Sequence, residues 1–405
     1  MIEKIEGGVC AAKGWTANGV HCGIRKSRTK RDLSLIFSDR IASCAAVYTT
    51  NLVKGAPLVV TQENIEDGMA QAVICNSGNA NTCNADGIEV AKRMCRDLAA
   101  ELKISEKNVV VASTGVIGQR LDANVISAGI APLVAGLSSG GCDAASEGIM
   151  TTDVVKKEVA YKFEIEGVEC RIGGIAKGSG MIAPNMATML VFITTDADIS
   201  PLMLKYALRR DIAGTFNMIS IDGDTSTNDM VCVLANGAAG NATISAPGKD
   251  FEDFCEALNK VNTDLCKMIA GDGEGATKFI ECVVEGAKNE KTAKTVAKSV
   301  ISSDLFKAAM FGADANWGRV LCAIGYSGAD VDVNKVGVSF RSAVGEIEVC
   351  RNGAGVEFSE EEAKRILSEK NIQVLIGLHS GEKRAVAWGC DLTYDYVKIN
   401  GDYRT

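Results

Sequence analysis

The sequence predicts a layered α/β protein, because short runs of strand character alternate with longer runs of helical character along most of its 405 residues. Residues 109–112 and 230–234 are apolar, β-branched runs of the kind that form buried strands. Residues 87–103 carry apolar side chains at intervals of three and four, which is typical of an amphipathic helix. Aromatic residues make up only 5% of the chain, whereas 42 residues are glycine, so small side chains fill much of the interior.

In the first half of the chain, strands are predicted where a short apolar or β-branched run ends in polar or glycine-containing sequence. Residues 76–81 are rich in Asn and Gly and predict a loop, and residues 113–115 predict a turn. An Ala-rich, helix-like region then extends to about residue 148. The predicted strands, in chain order, are 43–50, 70–75, 109–112, 159–165, 170–175 and 189–193.

In the second half, capping residues mark two helices. Ser200 precedes Pro201 and opens a helix to about residue 214, and Ser359 with Glu362 forms a capping box before a helix to residue 370. The charged run 288–294 is either a domain boundary or the start of a further helix. Since the chain is long for one compact core, we predict a main domain at 1–287 and a smaller domain at 288–405. Between these points the sequence predicts a polar loop at 216–229, a strand at 230–234, an amphipathic helix at 250–270 and a strand at 279–285.

Net charge and hydropathy argue against two classes of function, nucleic-acid binding and membrane insertion. The net charge is −8, and an acidic chain without a long basic block does not favour nucleic-acid binding. The most basic stretch, residues 25–31, is interpreted as a solvated loop, with attraction of a carboxylate substrate left open. No apolar run approaches the roughly 18 residues that a membrane span needs. We therefore expect small-molecule substrates, no nucleic acid and no membrane.

The 15 cysteines do not predict a disulfide framework or a metal site. Their number is odd, no two of them are spaced as C-x-x-C, and many lie in apolar runs, as Cys232 does. The N-terminal residues lack the apolar core of a secretion signal, so we expect a cytoplasmic protein with reduced thiols. No metal and no cofactor is predicted.

Histidine is scarce, and this restricts the chemistry. The chain has two histidines, His21 and His379, and a single histidine is more often structural than catalytic. A Ser-His-Asp triad or a multi-histidine metal site is therefore poorly supplied. Any acyl-transfer reaction of this protein would therefore need a base other than histidine.

Thr188 can supply that base. A glycine-rich segment leads through Pro184 to Thr188, and an apolar strand follows at once. If the Ala187–Thr188 bond were cleaved, Thr188 would become a new N-terminus whose α-amine has a pKa of about 7.7–8.0 and could activate its own hydroxyl. The spacing alone leaves open that Thr188 is an ordinary β-forming residue.

Residues 176–190 resemble the cleavage motif of the ornithine acetyltransferase family, whose members include bifunctional ornithine acetyltransferase/N-acetylglutamate synthases. Further segments that resemble the family cover nearly the whole chain in order. They are 76–81, 112–118, 149–153, 216–229, 271–277, 314–319 and the C-terminal tail. The resemblance implies a self-cleaving, N-terminal-nucleophile-type α/β fold shared with L-aminopeptidase/D-esterases. It also implies an α chain of residues 1–187, a β chain of residues 188–405 and a heterotetramer of two of each.

The resemblance also assigns roles to residues of this chain. Thr188 matches the nucleophile and the residue after the cleaved bond, and Thr114 and Gly115 match the pair that forms the oxyanion hole. The substrate-binding positions of the family match Thr151, Lys177, Thr188, Glu274, Asn400 and Thr405. Thr152 remains an alternative to Thr151, and Val154 stands where the family leads us to expect another threonine.

The implied reaction transfers the acetyl group of N-acetylornithine to glutamate through an acetyl-Thr188 intermediate, in arginine biosynthesis. Whether acetyl-CoA is a second donor is left open. Two alternative functions remain open. One is an aminopeptidase or amidase of the same fold, and the other is an uncleaved binding protein that uses residues 271–275 as a phosphate loop, although no phosphate-loop motif supports it.

Overall fold

The computed structural model describes residues 2–27, 29–183 and 189–402. The predictions for Ala187, Thr188 and Thr405 lie outside the described residues. The described strands are β1 (Glu3–Ile5), β2 (Trp15–Val20), β3 (Leu33–Tyr48), β4 (Met69–Asn79), β5 (Val109–Val116), β6 (Lys157–Ile165), β7 (Val168–Lys177), β8 (Leu190–Thr195), β9 (Ile219–Ser220), β10 (Met230–Ala235), β11 (Phe279–Ala287), β12 (Gly337–Ser342), β13 (Gly345–Arg351), β14 (Ala354–Gly355), β15 (Asn371–Gly377) and β16 (Lys383–Cys390).

The helices alternate with these strands, which confirms the α/β class. Ser200 and Ser359 cap helices as predicted, each accepting a hydrogen bond from the backbone N–H three residues on. The described helices are α1 (Ala56–Asn64), α2 (Gly87–Leu102), α3 (Ala123–Ala135), α4 (Cys142–Ile149), α5 (Pro201–Ile212), α6 (Lys249–Gly271), α7 (Glu290–Ile301), α8 (Asp304–Phe311), α9 (Trp317–Gly325), α10 (Glu360–Leu367) and α11 (Tyr394–Gly401).

The described strands form two sheets. The first has the order β1-β6-β7-β8-β10-β3-β4-β5, with β2 paired to β3, and the second has the order β14-β13-β12-β15-β11-β16-β9. Helix α6 buries Leu258, Val261, Leu265 and Ile269, spaced three and four residues apart. These residues belong to one hydrophobic cluster that includes side chains of both sheets, so α6 joins the two layers.

Strand β11 bears on the predicted domain boundary. It pairs with β15 and β16 in the second sheet, whereas the sequence counted it with the first domain. The charged run after it is the start of helix α7, which Asn289 caps by accepting a hydrogen bond from the Thr292 N–H. The division at residue 288 itself stays a prediction, because a single core cluster extends across both sheets.

Two local predictions were wrong. Residues 76–79 continue β4 instead of starting a loop, and residues 113–116 continue β5 instead of forming a turn. The reason is a close parallel pairing of Gly78 with Gly115, both of which have positive φ values, 98° and 131°. A Cβ atom on Gly115 would lie 2.3 Å from the carbonyl carbon of Gly78, so only glycine permits this pairing.

Candidate active site

A cavity of about 350 Å³ lies where β5 and β7 end and where β8 and β10 begin. Register explains why these ends meet, because Leu190 at the start of β8 pairs both with Lys177 and with Met230. Of the predicted site residues, all those that the structure describes line this cavity. They are Thr114, Gly115, Thr151, Lys177, Glu274 and Asn400.

Thr114 and Gly115 form one wall of the cavity. The wall is fixed from behind by Asn228, whose side-chain amide donates to the carbonyl oxygens of Ala80 (2.6 Å) and Ser113 (3.0 Å). The Ser113 hydroxyl in turn donates to the Asn76 side chain at 2.6 Å. This buried network fixes the position of the strand end.

Lys177 ends β7 and is buried, with 8% of its surface exposed. Among residues 2–27, 29–183 and 189–402, its ammonium group forms neither a hydrogen bond nor an ion pair. A buried ammonium that forms no hydrogen bond or ion pair with the described residues favours an anionic or polar ligand at this point of the cavity. The substrate-binding role that the resemblance assigns to Lys177 stays a prediction, and its burial shows that it is not a solvated loop lysine.

Lys157 lies at the centre of a buried ion-pair network that joins three segments around the cavity. Its ammonium group is 2.7 Å from Asp153 and 2.6 Å from Asp272, and the Lys157 side chain is only 1% exposed. Asp153 accepts the backbone N–H groups of Thr151 (3.0 Å) and Gly178 (2.8 Å). Burial alone would raise the pKa of Asp153, but Lys157 and Lys177 outweigh it and hold that pKa well below the usual range.

The network continues to the segment that carries Glu274. The Asp272 carbonyl accepts the Ser179 hydroxyl at 2.7 Å, and the Glu274 N–H donates to the Ser179 carbonyl at 2.9 Å. The Asn400 side chain from α11 donates to the Glu274 carboxylate at 2.7 Å. Asp153, Asp272 and Lys157 therefore set the relative positions of the Thr151, Lys177 and Glu274 segments.

The sequence missed several cavity residues, and six of them come from the polar segment 216–229. Asp222 lines the cavity, accepts the N–H groups of Met181 (2.6 Å) and Ile182 (2.8 Å), and accepts the Tyr396 hydroxyl at 3.3 Å. Asp229 also lines it. Its Oδ2 has no hydrogen bond with the described residues, and burial raises its pKa despite Ser226, Lys177 and Thr49. The density of Asp, Ser, Thr and Asn in 216–229 was the available signal.

Other predicted positions lie as follows. Thr151 and Thr152 both line the cavity, so the structure does not choose between them. Val154 is 83% exposed and is not part of the cavity wall. Neither histidine lines the cavity, and His21 is paired with Asp32 at 3.1 Å.

Two further findings concern metals and membranes. Within the described ranges, no group of three or more His, Cys, Asp or Glu side chains is arranged to hold a metal ion. In the same part of the chain, no helix has the length and apolar character needed to cross a bilayer. All 15 cysteines fall within the described ranges, and all are free thiols.

The layered fold and a cavity lined by ammonium, carboxylate and hydroxyl groups are typical of an enzyme that acts on a small polar molecule. A sequence model of the ArgJ family matches residues 16–405, so the chain belongs to the ArgJ family. This confirms the family that the sequence resembled.

Two relatives match from end to end. "Arginine biosynthesis bifunctional protein ArgJ" of Symbiobacterium thermophilum is 50% identical over 407 residues, covering 100% of both chains. The protein of the same name from Caldanaerobacter subterraneus subsp. tengcongensis is 49% identical over 405 residues, again covering 100% of both. The crystal structure of the ArgJ protein from Bacillus halodurans is 48% identical with a TM-score of 0.50, and the match covers 52% of this chain and 98% of that chain.

Proposed function

We propose that this enzyme acts in arginine biosynthesis and transfers the acetyl group of N2-acetyl-L-ornithine to L-glutamate. The observation that carries the proposal is that Thr114, Gly115, Thr151, Lys177, Glu274 and Asn400 line one cavity. They come from distant parts of the sequence, and chance would rarely bring all of them together. The names of the relatives, which place those proteins in arginine biosynthesis, support the same pathway.

The charges of the cavity suit amino-acid substrates. Lys177 is a buried ammonium group that can bind a substrate carboxylate, and Glu274 is a carboxylate that can bind the side-chain ammonium of ornithine. Glu274 is 9% exposed and is oriented by Asn400, so its charge is directed and poorly screened. N-acetylornithine carries one group of each sign, so it can pair with both side chains.

Thr188 is the proposed nucleophile, freed by cleavage of the Ala187–Thr188 bond. It is bonded to Met189, which lines the cavity immediately before β8. The Bacillus halodurans chain supports cleavage. The match covers 98% of the Bacillus halodurans chain but only 52% of this chain, so the crystallised chain is about half as long. The two relatives named above match this chain over its full length. A cut before Thr188 would give two pieces of about equal length.

The proposed reaction has two half-reactions. The Thr188 α-amine accepts the hydroxyl proton, the Thr188 oxygen attacks the acetyl carbon, and the Thr114 hydroxyl with the Gly115 N–H stabilises the oxyanion. The C–N bond breaks, the leaving amine takes the proton and ornithine departs, which leaves acetyl-Thr188. The glutamate amine then attacks the ester and regenerates Thr188. Since the relatives are named bifunctional, we propose that acetyl-CoA also loads Thr188. The cytoplasmic location, the lack of a cofactor and the heterotetramer stay predictions.

A denaturing gel and a transfer assay test the proposal. Purified protein should give two bands of about equal size with Thr188 at the new N-terminus, and Thr188→Ala should remain one inactive band. Thr188→Ser keeps a hydroxyl and is the matched control, which should retain measurable cleavage. With N-acetylornithine and glutamate, mass spectrometry should detect ornithine and N-acetylglutamate in equal amounts. Free acetate in place of N-acetylglutamate would show a hydrolase and contradict the proposal.

A further inference from the structure

A second cavity of about 470 Å³ opens next to the first and has a different charge. Among the described residues, it is lined by four cationic side chains, those of Arg25, Lys26, Lys30 and Arg120, and by one acidic side chain, that of Asp122. This basic cavity gathers most of the residues of the basic stretch that the sequence left as a solvated loop. In a chain of net charge −8, such a concentration of positive charge is local and unusual.

The side chains of Lys26 and Lys30 differ from those of the other two cations in having no hydrogen-bond or ion-pair partner among the described residues. Both residues are exposed. By contrast, Arg25 donates to the Met150 carbonyl and Arg120 pairs with Asp86 at 2.9 Å. Two cations with partners in the protein, beside two that no described residue pairs with, form a surface that favours a ligand carrying several negative charges.

The basic cavity is adjacent to the catalytic one. Thr151 lines both of them. Arg25 also packs against the backbone of Gly78, since a Cβ atom there would lie 2.9 Å from the Arg25 Cγ. Gly78 in turn pairs with Gly115 of the proposed oxyanion hole. The cationic wall and the oxyanion wall therefore both contact the strand pair β4–β5.

We propose that the basic cavity binds the phosphate groups of a phosphate-bearing acyl thioester, whose acyl arm passes Thr151 to reach the catalytic cavity. The inference rests on the proposed function and adds a site to it. An amino-acid substrate has no need of the basic cavity, because Lys177 and Glu274 already offer it both charges. A donor with a bulky anionic end and a slender acyl arm needs a second site of opposite charge beside the first.

The chemical step matches that of the first half-reaction. The Thr188 oxygen forms a bond to the acyl carbon, the C–S bond breaks, and the sulfur leaves as a thiolate. The thiolate takes the proton that the Thr188 hydroxyl gave up, so that a free thiol and an acyl-enzyme result. The basic cavity takes no part in this step and contributes binding alone.

The test compares two donors in one double variant. Acetyl-CoA carries the phosphates, and S-acetylpantetheine has the same thioester without them. In the Lys26→Glu/Lys30→Glu enzyme, KM for acetyl-CoA should rise roughly tenfold or more, since two attractions at short range become repulsions. KM for S-acetylpantetheine and transfer from N-acetylornithine to glutamate should change less than about twofold. Added salt should raise KM for acetyl-CoA more steeply in the wild type than in the variant.

Lys260→Glu/Lys291→Glu is the matched control, because it makes the same change of charge at two exposed lysines that do not line the cavity. It should leave all three activities near their wild-type values. The inference is overturned if acetyl-CoA does not acetylate the wild-type enzyme, or if the two double variants affect KM for acetyl-CoA equally. If the wild type did not transfer the acetyl group of N-acetylornithine, the proposed function would be contradicted instead. Failure of the inference and failure of the proposed function are therefore distinguishable.

Discussion

Replacing Lys157 by methionine should destabilise the protein more than any neutralisation of a surface lysine. Methionine keeps most of the volume and removes the charge. The change leaves Asp153, whose side chain is 0% exposed, and Asp272, at 10%, without their shared cation. Breaking a buried ion pair by removing one partner typically costs about 3–5 kcal/mol, because an uncompensated charge stays in the interior. We expect a loss of that size in the free energy of unfolding.

The destabilisation by Lys157→Met should also depend on pH in a defined direction. In the wild type the pKa of Asp153 is depressed, so its contribution to stability is full above its unfolded pKa of about 3.9 and is lost as pH falls through the lower folded pKa. Without Lys157 that pKa should rise, and protonation would then relieve the buried charge. The difference in stability between the wild type and Lys157→Met should therefore shrink as pH falls from 7 towards 4.

Urea titration at pH 7 and at pH 4.5 measures both effects. Lys156→Met is the matched control, because Lys156 pairs with Asp143 at the surface, where the two side chains are 40% and 62% exposed. Such a pair contributes about 0–1 kcal/mol. KM for N-acetylornithine should also rise in Lys157→Met by more than kcat falls, because Asp153 holds the Thr151 and Gly178 backbones. The reasoning is refuted if both methionine variants unfold at the same urea concentration.

Two further predictions concern the cavity itself. Thr114→Val should lower kcat of acetyl transfer about 10²–10³-fold with little change in urea stability, because it removes one oxyanion donor and keeps the shape, and unchanged kcat would exclude that role. Asp229→Asn should change the free energy of unfolding by less than about 1 kcal/mol, since burial raises the pKa of Asp229 and favours its neutral form, which Asn imitates. A large destabilisation by Asn, measured by the same titration, would mean that the carboxylate is charged.

Local elements were the part of the fold that the sequence predicted well. Helix α6 was placed within one residue at each end, because its apolar stripe is long and regular. The Ser200 cap was also predicted, because capping depends on neighbours three residues away. Sheet order was not predictable in this way. The pairing of β8 with β10 depends on residues about 40 positions apart, and no local pattern records it.

In the candidate site, too, the sequence predicted residues but not the contacts between distant segments. Thr114 was found through a family motif, but its place inside strand β5 was missed, because the pairing of Gly78 with Gly115 is a contact between distant segments. Lys177 was also found through a family motif, but its burial could not be predicted from the sequence, since most lysines are exposed. Its burial follows from the position of β7 between β6 and β8, which only the assembled sheet shows.

Several hydrogen bonds fix the conformation of the segment before Thr188. Between Gly178 and Ala183, the Ser179 hydroxyl is tied to Asp272, the N–H groups of Met181 and Ile182 to Asp222, and the Ala183 carbonyl to Thr225. Met181 has φ 54°, which a non-glycine residue adopts at a cost. Such a conformation persists only where its surroundings fix it, as these bonds do. We therefore expect Asp222→Asn, which weakens two of the bonds, to slow cleavage before Thr188 relative to the wild type, as measured by the band ratio over time. Equal rates would mean that this anchoring does not serve cleavage.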